Sequence, residues 1–217
     1  MIALCLEFST DLRSVAVCDL DAEARILSVV RENRSRQFAP IRMIEDALRA
    51  ASLRPADVAA VILGAGPGSY AGIRSAIAVA QGWELARGVK VLALPSLETL
   101  AWRAWKNGDS GPLHLVADAQ RGDAYFVTYF IAAGGYTVAR DLSIVSAEEA
   151  CEAAGAGGRV AGPDAARWVN GAADIAPGAA DLAGLAAGRK DFLPASQIEP
   201  IYLRETAFVK APPPRAA

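Results

Sequence analysis

The sequence has very few of the side chains that most often bind metal ions or take part in nucleophilic catalysis. It contains one histidine, His114, which lies in an apolar stretch and is more typical of a buried residue than of a ligand. A Ser–His–Asp triad would have to use this histidine, and no serine motif supports one. The three cysteines are widely spaced and odd in number, which favours free thiols in a reducing compartment. We therefore expect no metal site and no catalytic triad.

An excess of positive charge is also missing. The chain has 22 Lys and Arg against 24 Asp and Glu, for a formal net charge of −2 at pH 7. Binding of nucleic acid by a chain alone needs a basic surface, so this composition argues against it. No stretch is long and apolar enough for a transmembrane span, and Glu7 and Asp11 interrupt the start of the chain, where a secretory signal would be apolar. We expect a cytoplasmic, soluble protein that does not contact membranes.

The most informative stretch is residues 57–87, whose pattern predicts a buried strand, a glycine-rich turn and a long helix. Its opening apolar run shows no alternation, as in a strand that is covered on both faces. Glycine permits backbone geometries that are closed to other residues, Pro67 fixes one φ angle, and Ser69 is a suitable N-cap for the helix. The predicted structural turn comprises Gly64, Gly66, Pro67, Gly68, Ser69 and Gly72.

Three chemical motifs compete for this turn. A P-loop needs a lysine directly after the last glycine, where the chain has Ser69. A nucleophile elbow around Ser69 needs glycine at the positions held by Pro67 and Ala71. The dinucleotide fingerprint G-x-G-x-x-A does match from Gly66, but the next strand ends at Pro95 without the carboxylate that would bind the ribose. We reject the first two motifs and regard the third as a weak match.

The chain divides into two halves that begin alike. Each opens with a strand, a polar turn and a second strand, and a linker made of Asn, Gly, Asp, Ser and Pro separates the halves at residues 107–112. This order resembles the two-lobed actin and sugar-kinase fold, which is ribonuclease-H-like and has mixed sheets flanked by helices. We predict an α/β protein with an N-terminal lobe at 1–107, a smaller C-terminal lobe at 108–206 and a mobile Pro-rich tail at 207–217.

The two polar turns correspond to the places where nucleotide-binding proteins of that fold hold phosphates and a metal ion. The first resembles the pattern D-T-S-T, but Glu7 replaces the aspartate, and its longer side chain moves the carboxylate by about one carbon–carbon bond. The second has Ala119 and Gln120 where phosphate-binding turns use glycine. We interpret both as degenerate phosphate turns, whose characteristic residues are Glu7, Ser9, Thr10, Asp118 and Gly122.

Three segments are similar to motifs of one bacterial family. Residues 66–74, GPGSYAGIR, resemble the G-P-G-S-[FY]-T-G-[LIV]-R signature of the TsaB (YeaZ) family, with Ala71 where threonine is usual. Residues 118–125, DAQRGDAY, are similar to its D-A-R-x-G-E-V-Y, and residues 200–204, PIYLR, to its P-x-Y-L-R. Where a further family motif reads R-x-H-S-x-x-L-L-P, this chain has Arg31, Glu32 and Asn33, so the histidine of the family is missing. The resemblance extends over nearly the whole chain.

This resemblance implies a scaffold and dimerisation subunit of the complex that makes threonylcarbamoyladenosine in tRNA. Such a subunit has no active site of its own and supports the catalytic subunit TsaD, while threonylcarbamoyl is transferred to the adenosine beside the anticodon of tRNAs that read ANN codons. The implied partners are TsaD, TsaE and, functionally, TsaC, with tRNA reached only through the complex. No cofactor is implied for this chain alone, and a nucleotide shared at the partner interface is left open. The alternative is a stand-alone ATP-dependent small-molecule kinase or ATPase of the same superfamily.

Two helices supply the candidate partner surface. The helix after residue 69 lacks a polar face in its first half, so it packs either on its own sheet alone or also on a second protein. The helix at 37–51 has a broad apolar face, which a core role also explains. The predicted partner residues are Ile41, Met43, Ile44, Ala47 and Leu48 on the earlier helix, and Arg74, Ser75, Ala78, Gln81 and Gly82 on the later one. We expect a homodimer through the same surface when the partner is absent.

Overall fold

Two five-stranded sheets form the framework of the protein in a computed structural model that describes residues 1–21, 24–33, 38–155 and 157–204. The strands of the first sheet are β1 (Ile2–Glu7), β2 (Leu12–Asp19), β3 (Arg25–Asn33), β4 (Ala60–Gly64) and β5 (Lys90–Leu94). The strands of the second are β6 (Gly111–Asp118), β7 (Asp123–Ala132), β8 (Gly135–Ser146), β9 (Arg159–Gly162) and β10 (Ala173–Asp174). Their spatial orders are β3-β2-β1-β4-β5 and β10-β9-β6-β7-β8, so both sheets are antiparallel meanders extended by parallel strands.

Five α-helices connect and cover these sheets in the described residues. They are α1 (Pro40–Ala50), α2 (Tyr70–Arg87), α3 (Glu98–Lys106), α4 (Ala147–Gly155) and α5 (Ala179–Ala186). Short 3-10 helices lie at Pro55–Asp57, Ala165–Arg167 and Ala195–Gln197. None of the helices in this part of the chain is both long enough and apolar enough to cross a membrane.

The helices are arranged in layers around the sheets. Helices α1 and α2 cover one face of the first sheet, where they pack on Leu4 and Leu6 of β1. Helix α5 covers the opposite face, where it packs on Ala3 and Cys5. Helix α3 packs on the second sheet and also on α5, so these two helices fill the space between the sheets. Because both faces of β1 are covered, its residues from Ala3 to Glu7 are all buried.

The predicted two-lobed α/β architecture with mixed sheets flanked by helices is confirmed. The meander of β1, β2 and β3, the buried strand before the glycine turn, and the helix that begins at Tyr70 are all found. The first helix begins at Pro40 rather than near residue 37, since proline is suited to the first helical position. Cys5 and Cys18 are buried strand residues, as expected for small core side chains.

The division of the chain at residue 108 stays a proposal, and the position of α5 leads us to refine it. Helix α5 belongs in sequence to the predicted second lobe, but its buried side chains pack on the first sheet. We therefore propose that the chain returns to the first lobe after β10. The predicted mobile tail at 207–217 lies outside the described residues.

Candidate functional site

The glycine turn lies directly against the turn between β1 and β2. A Cβ atom on Gly68, whose φ is +146°, would lie closer than 3.0 Å to the carbonyl oxygen of Ser9, and one on Gly72 would lie equally close to that of Phe8. The Ser69 N–H donates to the same Ser9 oxygen at 2.7 Å. The Ser69 hydroxyl accepts a hydrogen bond from the Gly72 N–H at 3.3 Å, which confirms its role as N-cap. The glycines therefore allow the two turns to form one packed unit.

Glu7, the first residue of the predicted degenerate phosphate turn, is completely buried at the end of β1. Its Oε1 accepts a hydrogen bond from the Ser9 N–H at 2.8 Å, whereas Oε2 has no partner of good geometry among the described residues. The carboxyl group fills the space beside Gly64, where an added Cβ atom would lie closer than 3.0 Å to Oε2. Burial raises the pKa of Glu7, and hydrogen bonding from Ser9 and Ser96 opposes the rise only in part. The neutral acid that burial favours is a poor ligand for a metal ion.

We predict that the stability of the protein depends on pH through Glu7. Because its folded-state pKa is raised, the neutral acid contributes stability that is fully present below the unfolded pKa and is lost as the pH rises through the folded pKa. Each tenfold change in the acid dissociation constant on folding corresponds to about 1.4 kcal/mol of this stability. Urea unfolding of the wild-type chain and of Glu7→Gln, from about pH 4.5 to about pH 8, measures this. The free energy of unfolding of Glu7→Gln should rise relative to wild type over that range, and a constant difference would contradict the raised pKa.

The second predicted phosphate turn joins β6 to β7 and has an unusual backbone. Gln120, Arg121 and Gly122 have φ angles of +63°, +58° and +86°, in a region that residues other than glycine rarely adopt. The Asp118 carboxylate accepts a hydrogen bond from the Gln120 N–H at 2.7 Å and pairs with Arg167 at 3.4 Å. Asp118 is thus engaged within its own lobe.

A residue from the far end of the described chain holds this turn in place. The Arg204 guanidinium donates hydrogen bonds to the carbonyl oxygens of Ala119 at 3.1 Å and Gln120 at 3.2 Å, and to the Asp123 carboxylate at 2.7 Å. Sequence reasoning did not single out Arg204, although the motif at residues 200–204 contained the signal. The carbonyl oxygens of this turn therefore bind a cationic side chain of the same chain, the Arg204 guanidinium.

A cleft lies beside the first turn, where the two lobes meet. Its volume is about 380 Å³, and its described lining residues are Thr10, Asp11, Leu12, Asn33, Pro163, Asp164, Asp174, Ile175 and Ala176. This described lining contains three aspartates and no lysine or arginine, a composition that does not by itself attract phosphate. Across the described ranges, no group of three or more His, Cys, Asp or Glu side chains is arranged to hold a metal ion.

The structure places four of the five partner candidates on α1 in the core of the chain itself. Met43, Ile44, Ala47 and Leu48 are buried and pack on the first sheet, whereas Ile41 is 56% exposed. The prediction that these four residues form a partner surface is therefore corrected. The broad apolar face of this helix was recognised, and it packs on the sheet of the same chain.

The five candidates on α2 lie outside the core. Arg74, Ala78, Gln81 and Gly82 are exposed and Ser75 is half-buried, and we call these five residues the α2 face. A Cβ atom on Gly82 would meet nothing within 4 Å, so the backbone is open there to a close approach by another chain. Leu85, on the same helix, is 91% exposed. Leu85 follows Ala78 and Gly82 at helical spacing, so the exposed side of α2 extends to it.

A groove of about 710 Å³ runs beside the α2 face. Its described lining residues are Arg74, Ile77, Ala78, Gln81, Ile198, Glu199, Pro200 and Tyr202. The Arg74 guanidinium lies 4.8 Å from the centre of the Tyr70 ring, and the Tyr202 ring stacks on the Tyr70 ring with the two ring centres 5.3 Å apart. The segment after residue 197 is thus part of this surface, which sequence reasoning missed.

His114 is an ordinary buried residue in the second sheet. Its Nδ1 lies 2.9 Å from the Thr128 hydroxyl and its Nε2 lies 3.0 Å from the Gly157 carbonyl oxygen. The ring also stacks on Phe126, with the ring centres 5.7 Å apart. Both ring nitrogens are therefore engaged in the fold, in line with the sequence interpretation.

Comparison of the sequence with known families and curated proteins finds one consistent group. The family model described as TsaD, tRNA N6-adenosine threonylcarbamoyltransferase, matches residues 28–160. The tRNA threonylcarbamoyladenosine biosynthesis protein TsaB of Escherichia coli K12 is 26% identical over 126 residues, and that of Bacillus subtilis 168 is 29% identical over 108 residues. These matches cover 58% and 49% of this chain and 54% and 44% of the two proteins, so the chain spans about half the length of the curated relatives that it matches.

Comparison with solved structures covers both lobes. YeaZ from Pseudomonas aeruginosa is similar at a TM-score of 0.77 and 28% identity, over 93% of this chain and 99% of that chain. A second structure, of an uncharacterized Pseudomonas aeruginosa protein with similarity to peptidase YEAZ, has a TM-score of 0.78 at 29% identity, over 94% and 99% of the two chains. The fold described above is therefore shared with these proteins along nearly its whole length.

Proposed function

The chain belongs to the family described as TsaD, tRNA N6-adenosine threonylcarbamoyltransferase, and within it to the TsaB (YeaZ) group; because of this membership, we propose that it serves in the biosynthesis of threonylcarbamoyladenosine in tRNA. In our proposal it is a scaffold subunit without an active site of its own. It binds the catalytic subunit TsaD and holds it in a productive form, while TsaC and TsaE supply the other steps. The adenosine that is modified lies beside the anticodon of tRNAs that read ANN codons.

The observation that carries this proposal is the closure of the first phosphate turn. Glu7 is completely buried beneath the turn, with a raised pKa. The Ser9 N–H, which a bound phosphate would need as a donor, instead donates a hydrogen bond to the Glu7 carboxyl group. The Ser9 carbonyl oxygen accepts a hydrogen bond from the Ser69 N–H. Both of these backbone groups are therefore used within the fold. A site of this kind supports a structural role better than phosphoryl transfer.

The α2 face supports the choice of partner surface. Its five residues lie at the surface next to the 91% exposed Leu85, although α2 is apolar through most of its first half. Contact with a second chain would remove the exposed apolar surface of Ala78 and Leu85 from water. We propose that TsaD, or a second copy of this chain when TsaD is absent, covers the α2 face together with the exposed Ile41.

Contact with tRNA is proposed to occur only through the complex. The chain has a formal net charge of −2, and the described lining of the cleft contains three aspartates and no lysine or arginine, which favours phosphate binding elsewhere in the complex. Complex formation with TsaD from the same organism, together with calorimetric titration of Mg-ATP into the chain alone, tests the proposal. We expect a stoichiometric complex and no heat from ATP, whereas ATP binding without a complex would support the kinase alternative.

A further inference from the structure

The last described residues connect the two lobes. Residues 198–204, which we call the strap, leave the first lobe beside the glycine turn. The Ile201 N–H donates to the Ala65 carbonyl oxygen at 2.8 Å, just after β4. The Tyr202 ring stacks on the ring of Tyr70, the first residue of α2, and its hydroxyl donates to the Tyr70 carbonyl oxygen at 3.4 Å. One end of the strap is therefore fixed to the start of α2.

The other end of the strap is fixed to the second lobe. Two residues after Tyr202, the Arg204 guanidinium bonds to the carbonyl oxygens of Ala119 and Gln120 and to the Asp123 carboxylate. Its side chain is 30% exposed, and hydrogen bonds between a guanidinium and a carboxylate are among the stronger ones in proteins. The backbone of this turn, with its run of positive φ angles, needs such outside support. Arg204 thus ties a strained turn of the second lobe to a segment held by the first.

A second contact between the lobes lies at the centre of the molecule, where α3 packs on the second sheet and the Tyr136 hydroxyl of β8 donates to the Glu98 carboxylate of α3 at 3.0 Å. Within the first lobe, α3 is held against α5, because the Trp102 ring fills the space where Gly184 has no side chain and Arg103 forms an ion pair with Asp181. A contact through a single helix restrains rotation of the lobes about that helix less than two separated contacts do. The strap supplies the second contact.

We propose that Arg204 is a positioning residue that latches the second lobe to the start of α2 and so sets the angle between the lobes. The latch is a property of the isolated chain and does not depend on any partner. It also assigns a role to the motif at residues 200–204, which the proposed function does not explain. Loss of the Arg204 hydrogen bonds would leave each lobe folded but would allow the angle between the lobes to vary.

The distance between two spin labels, one on each lobe, tests this proposal. Cys151 is exposed on the second lobe, whereas Cys5 and Cys18 are buried, and Glu45→Cys adds an exposed thiol on α1 of the first lobe. In the doubly labelled full chain, diluted with an excess of unlabelled chain so that label pairs within one chain dominate, pulsed electron paramagnetic resonance should give one narrow distance distribution. Arg204→Gln should widen it by about twofold, because a set of lobe orientations replaces a single one. Asp123→Asn should widen it in the same direction, and Arg204→Lys should restore part of the narrow distribution.

Arg167→Gln is the matched control. Arg167 pairs with Asp118 of the same turn, but both residues belong to the second lobe. The distribution of this variant should equal that of the wild-type label pair. Equal widening by Arg167→Gln and Arg204→Gln would show that the turn itself, and not the strap, is responsible. Wild-type distributions in both Arg204→Gln and Asp123→Asn would also overturn the proposal.

Discussion

Replacement of Gly72 by alanine should lower the free energy of unfolding by about 3 kcal/mol or prevent folding altogether. The added Cβ atom would lie closer than 3.0 Å to the carbonyl oxygen of Phe8. Gly72 lies within α2 and Phe8 is completely buried directly after β1, so neither backbone moves away without cost. The available relief is a shift of the start of α2, which would break the hydrogen bond between the Ser69 N–H and the Ser9 carbonyl oxygen. Urea unfolding followed by circular dichroism measures the loss.

Gly82→Ala is the matched control for this prediction, since both glycines lie within α2. A Cβ atom on Gly82 meets nothing within 4 Å, so alanine there should be neutral or should stabilise the chain by up to about 1 kcal/mol through helix propensity. Equal stability of Gly72→Ala and Gly82→Ala would show that the glycine turn does not pack closely on the first phosphate turn.

Ala78→Glu should leave the chain folded but weaken its pairing with TsaD, or with itself, by about a hundredfold or more. Ala78 is exposed on the α2 face, so the glutamate meets solvent in the isolated chain. In a close helix contact its charge would be buried without a partner, and a hundredfold loss of affinity corresponds to about 2.7 kcal/mol. Analytical ultracentrifugation over a range of concentrations measures the affinity, and the melting temperature reports whether the fold is intact.

Ala50→Glu provides a comparison of equal charge. Ala50 is exposed at the end of α1, on a different helix from the α2 face. The same substitution there should change neither the melting temperature nor the affinity by a measurable amount. Equal loss of pairing in the two variants would indicate a general effect of charge, and loss of folding in Ala78→Glu would contradict the exposed position of Ala78.

The glycine turn and α2 could be predicted from the sequence because their determinants are local. Glycines that permit a close approach, Ser69 as N-cap, and an apolar run before the turn together favour one arrangement. The exposure of Ala78 and Gly82 was also among the sequence alternatives. It follows from their spacing along the helix, since the opposite side, with Ile73 and Ala76, is buried on the sheet.

The face of α1 and the role of Arg204 could not be predicted in the same way. An apolar stripe such as that of Met43, Ile44 and Leu48 shows that a helix has one buried side, but it does not distinguish a sheet of the same chain from a second chain. The contact between Arg204 and the turn at Ala119 joins residues 85 positions apart. Such a contact depends on the assembled lobes, and no local pattern reports it. Glu7 is similar, because its burial depends on Gly64 from another strand.

The proposed scaffold role can be checked by the light-scattering mass of the pure chain, alone and mixed with TsaD from the same organism. We expect a homodimer of twice the 22.6 kDa of one chain, which converts on mixing to a complex that contains one copy of each protein. The shared α2 face requires that conversion, since it cannot bind both partners at once. A chain that stays a monomer and does not change its mass with TsaD would contradict the scaffold role.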